Sequence, residues 1–414
     1  MTRLVVVYDA GAAQPLEIHT GLAPLGRVTY ALPHSDHNDR MRPLLAEFGE
    51  VVPLDEDPAE RIRRLRPDAV LTFSERQLRL TSDLAAALGL PGHSPDTARA
   101  LTDKYLQRER LRAAGVDRLR CARLSGPGDW PAAVAAVGLP AVLKPVRGEG
   151  SRDTHRILDA AAGGRLVDEL HRRGAADLVL ERYLAGRDTG PYGDYVSVES
   201  VVTHGRVGHV AVTGKYPLLE PFRERGQFWP AHLDHDESAA VADLAGRAVA
   251  ALGVRTGVAH TEIKLTPDGP HVIEVNGRLG GQLHDLGLRA GGPDLVTLAG
   301  RAALGEALDI GPFRPDGVFF QHNNPAPVLA CRLVAVRGVP QVRGMAGIDG
   351  YRRFVQPGAE LPGGVMTRPL DVLTGRTADH GSMLELVAEA RRALEFEFAM
   401  GGDTVRIRSD RLDD

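Results

Sequence analysis

Apolar runs and amphipathic stretches alternate along the first ninety residues of the chain. The runs Arg3–Tyr8 and Ala69–Phe73 have the length and composition of buried strands. The stretches Met41–Glu50 and about Ser74–Leu88 have apolar residues at helical spacing instead. Alternating strands and helices indicate a parallel α/β sheet. The segment Leu88–Ala98 is rich in Pro, Gly and Ser and predicts a domain boundary near residue 93.

Beyond this boundary the pattern changes to short strands separated by helices. A helix capped by Asp96 or Thr97 is expected to run to about Ala114. The strands predicted after it are Ala141–Lys144, Leu178–Arg182, Tyr195–Thr203, Val207–Gly214, Val258–Leu265, His271–Asn276, Val318–Gln321 and Val328–Val336. The helices predicted after it are Ala239–Leu252, Pro293–Leu304 and about Ser382–Phe396. We therefore predict three domains, over residues 1–93, 94–310 and 311–414.

Composition and charge narrow the class of protein. The 414 residues are 43% hydrophobic and 25% charged, which is typical of a folded globular chain and excludes a disordered one. A net charge of -4 gives no basic surface of the kind that binds nucleic acid. No apolar run approaches the roughly 18–20 residues of a membrane span, so we expect no membrane partner. The two cysteines, Cys121 and Cys331, are far apart in the sequence, so we expect neither a disulfide framework nor a structural zinc site. We therefore expect the protein to be located in the reducing cytoplasm.

The segment HTEIKLTPDGPHVIEVNGR, residues 260–278, carries the most information about chemistry. Two alternating runs flank a turn at Asp268, which predicts a β-hairpin. If the hairpin is centred on Asp268, Glu262 lies directly opposite Glu274, and His260 faces Asn276. The same alternation places Ile273 and Val275 on the other face of the hairpin.

Two carboxylates opposed across a strand pair, with Cβ atoms roughly 5 Å apart, repel each other. A divalent cation between Glu262 and Glu274 would remove that penalty, and the oxygen ligands Glu, Glu and Asn276 suit Mg²⁺ or Mn²⁺. Arg278, on the same face, could stabilise charge that develops on a phosphoryl or acyl group. A solvated hairpin face, on which like charges are tolerated, explains the spacing equally well.

A glycine-rich loop follows the predicted strand that delivers Lys144. The loop, Arg147–Asp153, carries Gly148, Gly150 and Ser151. Glycines let backbone N–H groups approach phosphate oxygens closely, and a fixed lysine adds positive charge. The segment matches neither the P-loop nor the dinucleotide-binding motif, so an ordinary turn is the alternative interpretation.

A third element is LVLERYLAG, residues 178–186, an apolar strand that ends at Glu181 before a turn. An acceptor side chain at the end of a strand can hydrogen-bond an adenine amino group.

Five segments of the chain, taken in their order along the sequence, resemble the ATP-grasp superfamily of carboxylate–amine ligases. The resemblance rests on DKYLQRERLRAAGV, VLKPVRGEGS, LVLERYL, HTEIKL and VIEVNGRLGG and spans about residues 100–282. Within the superfamily, GDYVSVESVV and VAHTEIKL are most similar to the bacterial L-amino acid ligases that make dipeptides, of the bacilysin-synthetase type. The resemblance implies α/β and α+β architecture: an N-terminal α/β domain (1–93), an ATP-grasp domain (94–310) with a lid at about 117–185, and a C-terminal α+β domain (311–414).

The resemblance also implies a nucleotide site. The residues it assigns to ATP are Lys104, Lys144, Gly148, Gly150, Ser151, Glu181, Tyr183, Leu184 and Lys215. Of these, Glu181, Tyr183 and Leu184 would line the adenine pocket. The acid that binds the ribose stays open between Asp188 and Asp194, because the segment between them is unlike the family pattern.

For catalysis, the resemblance implies that Glu262, Glu274 and Asn276 bind Mg²⁺, with Mn²⁺ as a possible substitute. Arg278 would hold the acyl phosphate and the tetrahedral intermediate, and Lys144 would neutralise phosphate charge.

Substrate recognition is implied for Glu224, Gln227, Arg278, Gly280 and Gln282. Gln227 stands where the dipeptide ligases have a histidine, and Gln282 stands where the bacilysin-type enzyme has a tryptophan. The smaller, polar Gln282 predicts a larger or more polar carboxylate substrate, unless it only packs at the rim of the pocket.

The implied activity is formation of an amide between a carboxylate and an amine, both expected to be amino acids, with release of ADP and phosphate. A homodimer is possible from the family alone. The alternatives are an ATP-grasp carboxylase or purine-pathway-type ligase, and a catalytically silent ATP-binding protein. The four residues Glu262, Glu274, Asn276 and Arg278 argue against a silent protein, because such a protein has no need of opposed carboxylates.

Overall fold

The first part of the chain forms a parallel four-stranded sheet, as its pattern predicts. A computed structural model describes residues 1–412. The strands are β1 (Arg3–Val7), β2 (Arg27–Leu32), β3 (Glu50–Pro53) and β4 (Ala69–Leu71), in the order β3-β2-β1-β4. The helices are α1 (Pro15–Leu22), α2 (Asp36–Phe48), α3 (Pro58–Leu65) and α4 (Leu78–Leu88). The helix expected from about Ser74 instead begins as a 3₁₀ turn, Glu75–Gln77, before α4.

Two helices, rather than the single predicted one, lead into the central region. Helix α5 (Pro95–Leu101) is capped by Ser94, and α6 (Lys104–Ala113) is capped by Asp103. The Asp103 carboxylate accepts the Leu106 N–H at 2.9 Å, so this side chain starts a new helix where one continuous helix was expected. The break places Lys104 at the first position of α6.

Residues 121–182 form a separate antiparallel sheet with its own core. The strands are β5 (Cys121–Leu124), β6 (Ala141–Pro145), β7 (His155–Ile157) and β8 (Leu178–Arg182), in the order β5-β8-β6-β7. Helices α7 (Trp130–Val137) and α8 (Ala160–Arg172) pack on it through Val137 and Val167, which are fully buried. This unit lies within the segment that the resemblance identifies as the lid, and we refer to it as the lid.

An eight-stranded antiparallel sheet forms the centre of the molecule. Its order is β13-β12-β9-β10-β11-β14-β18-β16. Its strands are β9 (Tyr195–Thr203), β10 (Arg206–Lys215), β11 (Gly226–Trp229), β12 (Gly257–Thr266), β13 (Gly269–Asn276), β14 (Val318–Pro325), β16 (Ile348–Arg353) and β18 (Pro369–Thr377). The predicted boundary at residue 310 thus separates strands that share one sheet.

The remaining elements flank this central sheet. The helices are α9 (His235–Ala251), α10 (Leu283–Arg289), α11 (Leu295–Ala303), α12 (Val339–Arg343) and α13 (His380–Ala393). A small sheet in the order β17-β15-β19-β20 contains β15 (Cys331–Arg337), β17 (Glu360–Leu361), β19 (Glu395–Met400) and β20 (Asp403–Arg408). The helix expected to reach Phe396 ends at Ala393, because an alternating strand, β19, takes over two residues later. No helix within residues 1–412 is long and apolar enough to cross a membrane.

One face of the central sheet changes from apolar to polar along its strands. On that face Val201 and Trp229 are buried in the core that also contains the first domain. Further along the same strands and the same face lie Glu199 and Gln227, buried but polar. The opposite face packs against α9 through residues such as Val198. The predicted site residues Lys215, Gln227 and Glu262 lie on the polar half of the first face.

Candidate active site

The hairpin β12–β13 has the predicted pairing at its functional end. Glu262 is directly opposite Glu274, and His260 is directly opposite Asn276. The two carboxylates therefore occupy neighbouring positions on one face of the sheet.

The other end of the hairpin differs from the prediction. The turn closes between Thr266 and Gly269, and a bulge at Ile273 restores the pairing of the functional end. Because of the bulge, Val272 packs in the core with Val275, and Ile273 is only partly buried. The prediction that Ile273 shares the core face with Val275 is therefore wrong.

Glu274 is paired with the first residue of α6. The Lys104 ammonium lies 2.6 Å from Glu274 Oε1 and donates a hydrogen bond to the Gly148 carbonyl at 2.9 Å. Burial alone would lower the pKa of Lys104, but the charge and hydrogen bond of Glu274 outweigh it and raise the pKa. One charged lysine thus joins a predicted metal ligand to the glycine-rich loop.

Glu262 lies beside a buried histidine that has a second carboxylate behind it. His260 Nδ1 is 2.9 Å from Glu199, and His260 Nε2 is 3.5 Å from Glu262 Oε1. Burial disfavours the charged ring, yet Glu199 and Glu262 raise the pKa of His260 to about 9. Burial likewise opposes ionisation of Glu262, but His260, Lys215 and Arg278 lower its pKa to about 2.

Sequence reasoning missed Glu199 as part of this arrangement. Its carboxylate also accepts hydrogen bonds from Ser197 and Thr213, at 2.9 and 3.2 Å. The available signal was a single charged residue inside a nine-residue strand that is otherwise uncharged. A charged side chain in such a position needs a buried partner.

Arg278 is held by a residue of the first domain. Its Nε lies 3.2 Å from Glu75 Oε2, and its Nη1 donates to the Leu279 carbonyl at 2.8 Å. Burial raises the pKa of Glu75, and Arg278 opposes that shift. Glu75 was not predicted, because the helical pattern after Phe73 gave no sign that a turn would project it from the first domain.

On the lid, Glu181 and Lys144 form an ion pair that the sequence analysis did not predict. Lys144 Nζ is 2.8 Å from Glu181 Oε2, and Arg108 Nε is 3.0 Å from Oε1. Burial opposes the charge of Glu181, but Arg108 and Lys144 lower its pKa to about 2. Adenine contact by this side chain stays a prediction, and both carboxylate oxygens already have basic partners.

Arg108, which the sequence analysis did not single out, also donates to the Val272 carbonyl at 2.6 Å and so connects the lid to the hairpin.

The other predicted adenine residues follow directly after β8. Tyr183 lies under the Arg156 guanidinium, 4.3 Å from the ring centroid, and its N–H donates to the Pro140 carbonyl. Leu184 is the next residue along and is partly buried. Both therefore lie at the edge of the lid.

The two candidates for the ribose acid have different surroundings. Asp194 lies 2.6 Å from the Lys264 ammonium, and Lys264 shares the sheet face of Glu262. Asp188 instead accepts the Gly190 N–H within its own loop. The structure brings Asp194 to the site face, and ribose binding by either residue stays a prediction.

The glycine-rich loop contacts the C-terminal region. The Gly150 carbonyl accepts the Thr367 N–H at 2.8 Å, and the Asp153 N–H donates to the Val365 carbonyl at 3.0 Å. Ser151 has a φ of 54°, in the left-handed region. The loop therefore lies between Lys104 and the segment 365–367.

The predicted substrate residues form an amide-rich wall. Gln227 accepts a hydrogen bond from Lys215 at 3.0 Å and donates to the Gly281 carbonyl at 2.8 Å. It also donates to Gln321 at 3.1 Å, a residue that the sequence analysis did not identify. Gln282 Oε1 is buried and has no hydrogen-bond partner among the described residues.

Gly280 and Glu224 flank that wall. A Cβ atom at Gly280 would lie 2.5 Å from His260 Nδ1, so only glycine lets this loop cross the histidine ring. Glu224 precedes β11, and its N–H donates to the Thr367 hydroxyl at 3.0 Å.

No family model matches the chain. It is 32% identical over 288 residues to carnosine synthase 1 of Gallus gallus, covering 61% of this chain and 29% of that protein. It is 26% identical over 265 residues to alanine–anticapsin ligase of Bacillus subtilis (strain 168), covering 60% of this chain and 54% of that protein. The chain thus spans less than two thirds of the length of these curated relatives.

Solved structures match over nearly the whole chain. An L-amino acid ligase from Bacillus licheniformis has a TM-score of 0.78 at 22% identity, covering 95% of this chain and 98% of that one. N5-carboxyaminoimidazole ribonucleotide synthetase from Thermotoga maritima has a TM-score of 0.70 at 17% identity, covering 96% and 99%. These likenesses show the fold. The chain therefore has the ATP-grasp fold that the ordered motifs of residues 103–282 imply.

Proposed function

We propose that the protein is an ATP-dependent ligase that joins a carboxylate to an amine, both amino acids, with release of ADP and phosphate. The observation that carries the proposal is the face of the hairpin. There Glu262 and Glu274 are in register, Lys104 contacts Glu274, and Arg278 follows two residues after Asn276. The similarity to carnosine synthase 1 and alanine–anticapsin ligase supports it.

The carboxylates of the hairpin fit a magnesium ion that arrives with the nucleotide. Within residues 1–412, no three His, Cys, Asp or Glu side chains form a group able to hold a metal. Mg²⁺ in proteins is commonly bound by one or two carboxylates together with substrate phosphates and water. Glu262 and Glu274, with the Asn276 amide oxygen, supply such a partial set. When bound, Mg²⁺ would neutralise charge on the phosphoryl group in transfer.

The residues around the hairpin suit acyl activation. An oxygen of the substrate carboxylate attacks the γ-phosphorus of ATP, the bond to ADP breaks, and an acyl phosphate forms. Lys104 and Lys144 bind phosphate oxygens during this step. Lys104 is mostly buried and contacts the glycine-rich loop, and Lys144 is buried on the lid strand.

The second step joins the amine. Its nitrogen attacks the acyl carbon, the carbon–oxygen bond to phosphate breaks, and the nitrogen loses a proton. Arg278 stabilises the oxyanion that forms at the acyl carbon. The reaction needs no protein nucleophile, which agrees with Cys121 and Cys331, whose thiol pKa values are raised by burial.

The amide wall favours an acid larger or more polar than alanine. Gln227 and Gln321 are tied together, and Gln282 presents an unpartnered buried oxygen. A buried acceptor without a partner disfavours an apolar ligand and favours one that donates a hydrogen bond. A panel of carboxylate substrates graded in size and polarity tests this, and strict preference for alanine would contradict it.

The test of the function is phosphate or ADP release with Mg-ATP across an array of amino acids, singly and in pairs. We expect release that needs two amino acids, with a dipeptide mass appearing. Asp268→Asn, at the exposed tip of the same hairpin, is the control and should keep full activity. Release driven by bicarbonate without any amino acid would identify a carboxylase instead. Nucleotide binding without turnover under every condition would identify a silent protein.

A further inference from the structure

The guanidinium of Arg278 contacts the protein at two of its nitrogen atoms. Nε lies against Glu75, and Nη1 donates to the Leu279 carbonyl. Both charged side chains are mostly buried, with 14% of Arg278 and 11% of Glu75 exposed. The contacts of residues 1–412 engage Nε and Nη1, which leaves Nη2 for a substrate. The contact with Glu75 is an ion pair and not a hydrogen bond, and together with the bond from Nη1 it restricts where the rigid, flat guanidinium can lie.

Glu75 belongs to a turn that is anchored within the first domain. The Ser74 hydroxyl donates to the Ala10 carbonyl at 2.7 Å, and the Gln77 amide donates to Asp9 at 2.8 Å. Ser74 is 1% exposed. These bonds fix the start of the 3₁₀ turn to the loop after β1, so Glu75 reaches the hairpin from a rigid base.

The same turn also contacts the glycine-rich loop. Arg76 Nε lies 3.0 Å from Glu149 Oε1. Adjacent residues of the first domain thus touch the predicted catalytic arginine and the predicted phosphate loop. Of the two contacts, the one to Arg278 is the more buried, since 53% of Arg76 is exposed. It is therefore less screened by solvent.

We propose that Glu75 is a positioning residue, which holds Arg278 in the orientation needed for acyl transfer and makes the first domain part of the active site. The proposal rests on the ligase function proposed above. It assigns Glu75 no contact with the reacting atoms.

The kinetic test compares Glu75→Gln and Glu75→Ala with a control, Glu60→Gln. Glu60 is a first-domain glutamate with 40% of its side chain exposed, and it pairs with Arg63 and Arg64 of its own helix. Removing a partner that orients a metal ligand typically lowers activity about 10- to 100-fold, and Glu75 would orient Arg278 in a comparable way. We expect a loss of that size in kcat for both Glu75 variants, with the KM for ATP unchanged. Glu60→Gln should behave as wild type. A general structural defect would raise the KM for ATP and lower the melting temperature together with kcat.

A structural readout separates this proposal from the proposed function. Crystal structures of the wild type and Glu75→Gln with Mg-ADP should show the Arg278 guanidinium displaced in the variant only. If the wild type has no ligase activity, the proposed function fails, and the position of Arg278 still tests the role of Glu75. An Arg278 that keeps its place in Glu75→Gln, or a Glu75→Ala variant with wild-type kcat, would overturn the proposal.

Discussion

The site has carboxylates on the lid and on the hairpin, and the two are built differently. The Glu181 side chain on the lid is 4% exposed, and both of its oxygens have a basic partner. The Glu262 and Glu274 side chains on the hairpin are 23% and 15% exposed. Within residues 1–412 each of these two forms an ion pair with one basic side chain. Both oxygens of the lid carboxylate have partners within the protein, whereas the hairpin carboxylates have oxygens that can still bind a ligand.

This difference indicates a structural role for the lid carboxylate and a chemical role for the hairpin carboxylates. Arg108 connects Glu181 to the backbone of β13 and so fixes the lid against the hairpin. Lys104 donates hydrogen bonds to both Glu274 and the Gly148 carbonyl of the glycine-rich loop. A bound phosphate would compete with these two acceptors for the lysine. We therefore expect substitutions on the lid to affect stability first and substitutions on the hairpin to affect turnover first.

The largest effect is expected at the hairpin. Glu274→Ala and Arg278→Ala should each abolish ligase turnover, because the loss of one group that stabilises transition-state charge alone costs about 10²–10³ in rate. Thermal unfolding should show that both variants remain folded. Substantial residual activity in both would refute the assignment.

On the lid, Glu181→Gln should destabilise the protein. It leaves the buried Arg108 and Lys144 without their counter-charge, and breaking such a pair costs about 3–5 kcal/mol. The measurement is the free energy of unfolding in urea. If the variant kept wild-type stability and lost only affinity for ADP, Glu181 would be an adenine contact rather than a structural residue.

A smaller effect, on the Mg²⁺ requirement, tests whether Glu262 is a metal ligand. Glu262→Gln should raise the Mg²⁺ concentration needed for half-maximal activity by about 10-fold or more, because one anionic ligand is removed. Asp268→Asn should leave that concentration unchanged. An unchanged Mg²⁺ requirement in Glu262→Gln would mean that Glu262 is not a metal ligand.

The smallest effect concerns acid stability. The folded-state pKa of Glu181, about 2, lies below its ordinary value of 4.5. Its charge therefore stabilises the fold above about pH 4.5, and this contribution is lost as the pH falls through about 2. Glu181→Gln should unfold with a shallower dependence on pH between 4.5 and 2. An identical pH dependence of unfolding in the wild type and the variant would mean that the charge of Glu181 does not stabilise the fold.

Much of the hairpin followed from sequence, because strand alternation fixes which residues share a face. The opposition of Glu262 and Glu274 needed only the position of the turn, although the turn itself is displaced and a bulge at Ile273 compensates. Local pattern gave this result because both strands lie within twenty residues of each other.

Contacts distant in sequence could not be predicted in the same way. Glu75 reaches Arg278 from about two hundred residues away, and the packing of the first domain against the central sheet decides that contact. Glu199 meets His260 because β9 pairs with β12, and the pairing partner of a strand is not encoded in its own alternation. Arg108 lies on α6, which the pattern joined with α5 into one helix, and its ion pair with Glu181 depends on the packing of α6 against the lid.

The central claim is that the hairpin activates a carboxylate by phosphoryl transfer. The most direct test uses a substrate amino acid labelled with ¹⁸O in its carboxylate, once the array has identified the pair of substrates. The account predicts that one labelled oxygen appears in the released phosphate and that the nucleotide product is ADP. Dipeptide formed with unlabelled phosphate, or with AMP as the product, would contradict it.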